Sequence, residues 1–150
     1  MGNRVAEMFK KITKIELKCN LPTIGFFALK LSQDEGLGTI TPYDLVYTNH
    51  GDHFDPSTGI FTTPVNGLYS ITIMTGSSSN TKTNAINCRR IRKETYDERI
   101  FFHDFSINQT VTRFAEISAG DELYLNWERI DEHDQTMISV TFSCYLIQKL

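Results

Sequence analysis

Residues 43–73, YDLVYTNHGDHFDPSTGIFTTPVNGLYSITI, leave few folds open to this chain. Two apolar runs, 43–48 and 68–74, flank a shorter one at 59–63. Three turn signals separate them: Asn49-His50-Gly51, Asp55-Pro56-Ser57-Thr58-Gly59 and Pro64-Val65-Asn66-Gly67. Gly51, Gly59 and Gly67 are expected to take positive φ, which a glycine does without a Cβ clash. Pro56 pre-sets a turn. Asn66-Gly67 is the dipeptide of a two-residue hairpin. Beyond it Tyr69, Ile71 and Ile73 alternate with Ser70 and Thr72, the period of a half-buried strand. A helix cannot use this punctuation.

The same pattern continues on both sides. Residues 24–31 (IGFFALKL), 85–91, 99–105, 111–117 and 123–127 are strand candidates. Residues 33–38 form a polar loop, and Gly120-Asp121 is a turn between two strands. Leu123, Leu125 and Trp127 share one face. Ile138, Val140, Phe142, Cys144 and Leu146 alternate without a break with Met137, Ser139, Thr141, Ser143 and Tyr145, which makes this the clearest strand of the chain. Residues 76–84 (GSSSNTKTN) are too polar to pack and read as an exposed loop. About ten short strands with regular turns imply an antiparallel sandwich.

Residues 1–21 differ in kind. They are rich in Lys and Glu, with Val5, Met8, Ile12, Ile15 and Cys19 at alternating steps of three and four. That is an a/d seam of about two heptads. Its β-branched residues favour three parallel strands, although two heptads are too few to hold an oligomer alone. The competing reading is an amphipathic or frayed tail. Residues 22–150 form the globular unit.

Composition narrows the function. A single domain of 150 residues buries a full core without metal or disulfide staples. The net charge of −3 argues against nucleic acid as a partner. No apolar run reaches the length of a membrane span. The first residues lack a signal-peptide core, and Ala6 breaks the myristoylation pattern. Cys19, Cys88 and Cys144 show no metal-type spacing, and Cys88 and Cys144 read as small buried residues on strands.

The spacing of Tyr43, Asn49, Phe54, Phe61, Gly67 and Tyr69, with Ile71 and Ile73 where aromatics are usual, resembles the signature of the globular C1q domain. The first strand, the turn Gly120-Asp121-Glu122-Leu123 and the last strand Phe142-Ser143-Cys144-Tyr145-Leu146 extend the likeness over residues 22–150, with Cys144 where the family usually has Gly. The resemblance implies a ten-stranded antiparallel jelly-roll sandwich of the C1q/tumour-necrosis-factor type, assembled as a homotrimer. It also implies an extracellular, secreted protein. The missing leader leaves an intracellular site open. No collagen repeat precedes the domain.

Catalytic constellations are poor, since no nucleophile motif such as G-x-S-x-G occurs. An enzyme is not expected. His50, Asp52, His53 and Asp55 could ligate a metal, but they sit among the turns that define the fold and read as a solvated turn. The acidic run Asp131-Glu132-His133-Asp134 offers oxygen ligands to calcium without the spacing of a known calcium loop. Phe102, Asp104 and Phe105 fit a segment that in some family members supplies calcium ligands near the trimer apex. Asp104, Asp131 and Asp134 are therefore the metal candidates, and calcium is the candidate ion. Arg89, Arg90, Arg92 and Lys93 cluster at a strand end, either as a solvated edge or as a contact for acidic ligands. The ligand-binding candidates are Arg90, Arg92, Lys93, His103, Asp131 and His133, on or beside loops 76–84, 103–108 and 131–135. Asn108-Gln109-Thr110 has the form of a glycosylation acceptor.

The expected function is trimeric pattern recognition of innate-immune type. It would bind carbohydrate or anionic groups on microbial surfaces, without chemistry and with avidity from three copies. The alternatives are a receptor-binding, cytokine-like ligand and a purely structural trimerisation module.

Overall fold

The structure is a computed structural model that describes residues 2–19, 23–32, 38–77, 84–92, 96–105, 109–129 and 138–150. One helix, α1 (Gly2–Cys19), comes first. Eleven strands follow among the described residues: β1 (Gly25–Ser32), β2 (Gly38–Thr39), β3 (Leu45–His50), β4 (Phe54–Asp55), β5 (Ile60–Thr62), β6 (Gly67–Ser77), β7 (Asn84–Arg92), β8 (Tyr96–Phe105), β9 (Gln109–Ile117), β10 (Glu122–Arg129) and β11 (Ile138–Lys149).

Ten of these strands make two sheets, a front sheet ordered β3-β1-β11-β6-β9 and a back sheet ordered β4-β5-β10-β7-β8; the two-residue β2 pairs with β10. Every pairing is antiparallel. This is the expected jelly-roll sandwich. Side-chain alternation aims one face of each sheet inward. From the front sheet come Phe26, Ala28, Tyr69, Ile71, Ile73, Val140, Phe142 and Cys144; from the back sheet come Phe61, Ile86, Cys88, Leu123, Leu125 and Trp127.

The spacing of the central stretch has a physical reading. Tyr43, Phe54, Phe61 and Tyr69 converge in the core. Phe26 stacks on Phe54 with ring centres 4.0 Å apart, Phe142 meets Phe26 edge-on at 4.8 Å, and Tyr43 meets Phe54 edge-on at 5.2 Å. Asn49 closes the tip between β3 and β4: its side-chain amide donates to the Phe54 carbonyl (2.8 Å) and its Oδ1 accepts from the Phe54 N–H (3.2 Å). The Tyr69 hydroxyl donates to the Val65 carbonyl at 2.8 Å. The polar members of the pattern thus satisfy backbone groups that bringing the aromatics together would otherwise strand.

Three expectations need correction. Asn66-Gly67 does not close a hairpin, because β5 and β6 belong to different sheets. The dipeptide lies on the crossover between layers, where Asn66 accepts from the Ala119 N–H (2.7 Å) and the Leu150 N–H (3.0 Å). Gly67 is also not at positive φ, unlike Gly51 (+87°) and Gly59 (+73°). A Cβ there would overlap the Leu146 side chain and stand 2.8 Å from the Gln148 carbonyl oxygen, so close approach is what demands glycine. In addition, residues 103–105 are the end of β8 rather than part of a loop. Most of the proposed loop 76–84 and all of 131–135 lie outside the described residues.

Candidate functional site

The outer faces of the two sheets differ in chemistry. On the front sheet the outward positions are Phe27, Leu29 and Leu31 of β1, Ser139 to Tyr145 in alternation on β11, Ser70, Thr72 and Met74 of β6, and Thr110, Thr112 and Phe114 of β9. None carries a full charge. Several large apolar groups are well exposed in the single chain: Phe114 is 65% exposed, Tyr47 58%, Leu45 49% and Leu31 45%. Hydroxyl pairs tie the face together. Thr48 Oγ1 and the Tyr145 hydroxyl lie 2.6 Å apart, Thr72 Oγ1 and Thr112 Oγ1 2.9 Å apart, and the rings of Phe27 and Tyr47 meet at 5.2 Å. Glu116, opposite Leu68, marks the border. At the far end an open groove of about 290 Å³ runs between Met74, Thr110, Ser139 and Thr141.

The back sheet presents an ionic face. Arg89 Nε donates to Asp97 Oδ1 at 3.0 Å, and the Tyr124 hydroxyl donates to Asp97 Oδ2 at 2.9 Å. The bond to Asp97 raises the pKa of Arg89. Burial, and then the donated bond to Asp97, raise that of Tyr124. Arg99 stands opposite Arg89 and donates to Asn87 Oδ1 at 3.4 Å. Arg92 Nε donates to Glu98 Oε1 at 2.9 Å and stays about half exposed. Surface pairs of this kind contribute little to stability, roughly 0–1 kcal/mol each.

The site candidates named from the sequence separate here. Arg90 does not join Arg92 on the surface. Both stand in line with Ile86 and Cys88 on β7, but Arg90 is buried while Arg92, at the end of the strand, is exposed, and both reach Glu98 Oε1, at 3.5 and 2.9 Å. Arg90 donates from Nε (2.8 Å) and Nη2 (2.5 Å) to Asp121 Oδ2, and from Nη1 to the Glu116 carbonyl (3.2 Å). Both partners of this pair are buried. A ligand contact through Arg90 is therefore withdrawn. His103 and Asp104 are on β8 opposite Ile86 and Ala85; their side chains, and Lys93, Asp131, His133 and Asp134, lie outside the described set. Among the described residues no three His, Cys, Asp or Glu side chains gather where they could hold a metal ion. Asp55 instead caps its own turn, accepting from the Ser57 N–H (2.9 Å) and hydroxyl (2.6 Å), which lowers its pKa. The solvated-turn reading of 50–55 fits that geometry. Cys88 and Cys144 are free and buried on strands, and burial pushes both thiols up.

Sequence reasoning missed the uncharged front face. Its signal is present in the outward residues of β11, all hydroxyl or aromatic, which alternation alone marks only as the complement of the core face. It also missed Tyr124 and Asp97, whose partnership depends on the β7–β8–β10 register.

Comparison with known proteins agrees with this architecture. A family model described as "C1q domain" matches residues 25–147. The globular domain of zebrafish complement 1qA protein is similar at 17% identity, covering 85% of this chain and 99% of that one, with a TM-score of 0.63. Murine APRIL at pH 5.0 is similar at 10% identity, covering 83% of this chain and 99% of that one, with a TM-score of 0.61. The Eiger TNF of S. frugiperda follows at 13% identity, with 87% and 94% covered and a TM-score of 0.54. At these identities the structural matches speak for the fold alone. The family model spans most of the chain, including every position of the aromatic and glycine signature, and the protein belongs to the C1q domain family.

Proposed function

We propose that this protein is a homotrimeric, non-catalytic binding module in which the front face of each protomer is buried against its copies, leaving the ionic back face and the loops to contact ligand. The observation that carries this reading is the contrast between the two outer faces. A water-exposed sheet face with Phe114, Tyr47, Leu45 and Leu31 unscreened by charge is what an oligomer interface requires. The opposite face holds guanidinium, phenol and carboxylate groups in one hydrogen-bonded array. Threefold closure is what the C1q family and its tumour-necrosis-factor-like neighbours suggest, and a head-to-flank contact that closes into a ring also avoids open filaments.

On this reading the ligands are carbohydrates or anionic groups on a surface, of the kind met in extracellular pattern recognition. Arg92 is the described candidate contact: it is half exposed at the end of β7. Guanidinium forks suit carboxylate and phosphate oxygens. Binding at one such face is weak, and three faces on one rigid body make it useful.

The test is an array of glycans and acidic polysaccharides probed with the wild-type chain, Arg92→Ala, and the front-face variant Phe114→Lys. The expected result is weaker binding for Arg92→Ala and a loss on the order of a hundredfold when trimers become single chains. Equal binding by all three chains would refute the assignment. A chelator arm reads any calcium requirement.

A further inference from the structure

The register between β7 and β8 shifts at one point, and the shift sets two like charges face to face. Asn87 stands opposite Phe102 and Cys88 opposite Phe101. Continued without a break, that register would set Ile100 opposite Arg89 and Arg99 opposite the inward Arg90. A bulge takes up Ile100, which packs against the core, and Arg99 comes out opposite Arg89 on the outer face. Like charges directly opposite each other destabilise a sheet. Asp97 lies beside them, holding Arg89 Nε at 3.0 Å and the Tyr124 hydroxyl at 2.9 Å.

Asn87 supplies the second observation. It alternates with Ile86 and Cys88 of the core and so belongs to the outer face, yet it is fully buried there. Its Oδ1 accepts from Arg99 Nη1 at 3.4 Å, a long bond, and its Nδ2 has no partner. Flipping the amide does not help, because two donors would then meet. A buried donor left unpaired destabilises the site, and an incoming acceptor removes that penalty.

We infer that Asn87, Arg89 and Arg99 form a binding site for an acidic sugar, with a hexuronate carboxylate between the two guanidiniums and ring hydroxyls on the Asn87 amide. One carboxylate offsets the like-charge pair, and the planar fork of a guanidinium matches its two oxygens. Drawing Arg99, which is exposed, toward that carboxylate uncovers Asn87. The amide then offers a donor and an acceptor two residues along β7 from Arg89, roughly 7 Å away. A sugar hydroxyl both donates and accepts, so a sugar acid meets both groups. A bare anion has no donor for Oδ1. Asn126, opposite Asn87 on β10, extends the polar row. This rests on the reading of the back face as the one that contacts ligand, and adds to Arg92 at the strand end a site in the middle of β7.

The test titrates the full chain by calorimetry with methyl glucuronide, methyl glucoside and acetate. The glucuronide should bind saturably, and more weakly as salt is added. The glucoside lacks the carboxylate and acetate lacks the ring, so each should bind at least about tenfold more weakly. Arg99→Gln should weaken the glucuronide by a similar factor and leave the glucoside unchanged. Asn87→Leu keeps the bulk and removes both polar atoms, and should bring the glucuronide down to the level of acetate. Arg99 is exposed, so its variant carries the test if Asn87→Leu does not fold. Acetate binding as tightly as the glucuronide would overturn the sugar. A wild-type chain indifferent to the glucuronide, or an affinity untouched by Arg99→Gln, would overturn the site. Where Arg92→Ala still weakens glycan binding, any of these results leaves the broader reading of the back face standing. A wild-type chain that binds no glycan or acidic polysaccharide overturns both.

Discussion

Arg90 and Asp121 hold each other inside the sandwich: the guanidinium reaches Asp121 Oδ2 from two nitrogens, at 2.8 and 2.5 Å, and both side chains are buried. Asp121 sits just before β10, in the tight turn that Thr63 locks by accepting from the Gly120 N–H (2.7 Å) and donating its hydroxyl to the Ser118 carbonyl (2.7 Å). The pair therefore fastens the β9–β10 turn to β7. Removing Asp121 takes away both of its short bonds to the buried guanidinium, leaving Arg90 with the Glu116 carbonyl and the longer contact to Glu98 Oε1 at 3.5 Å. Asp121→Ala is expected to cost about 3–5 kcal/mol in urea unfolding. Replacing both, Arg90→Met with Asp121→Leu, should recover most of that loss, since a well-packed apolar pair substitutes for a buried ion pair. Ligand binding by the refolded double variant should match the wild type.

Gly67 should be among the least replaceable glycines. An added methyl would meet the Leu146 side chain and the Gln148 carbonyl, the latter held in the β6–β11 ladder. Gly67→Ala is expected to destabilise by about 1–3 kcal/mol through overpacking, read as a lower Tm. Gly2→Ala, with nothing near its added methyl, should leave Tm unchanged.

The contrast shows what the sequence made legible. Alternation over 138–146 identified β11 because each inward residue is apolar and each outward one is not. The aromatic spacing from Tyr43 to Tyr69 identified the fold because those rings all meet in one core. The division of strands between sheets stayed hidden: Asn66-Gly67 is equally compatible with a hairpin and with a crossover, and only long-range pairing decides. Two-residue strands such as β2 and β4 carry no period at all. Arg90 was misjudged because three neighbouring basic residues suggested a surface; Arg92 shares its parity with Ile86 and Cys88, so alternation alone does not separate the buried guanidinium from the exposed one. The remaining candidate ligand and metal side chains, Lys93, His103, Asp104, Asp131, His133 and Asp134, lie outside the described set.

The buried thiols and phenols make stability depend on alkaline pH. Burial raises Cys88, Cys144 and Tyr43, and it pushes Tyr69 up to about 12. Each of these groups holds its proton more tightly in the folded chain than in the unfolded one. Their contribution is whole below the ordinary thiol range and is lost as pH rises, through the thiols from about 9 and through Tyr69 between about 10 and 12. Urea midpoints should therefore fall steadily above pH 9. In a Cys19→Ser chain at pH 8, a disulfide reagent should label no thiol until denaturant unfolds the protein, when both thiols should react together.

Trimer assembly depends on the uncharged front face, and the mass of the protein in solution reads it directly. Sedimentation equilibrium of the full chain should give three times the 17.2 kDa chain mass, and Phe114→Lys, which puts a charge at the most exposed aromatic of that face, should give a single-chain mass with its β-sheet circular dichroism intact. A wild-type chain that sediments alone at high concentration, or a Phe114→Lys chain that still sediments as three, would contradict it.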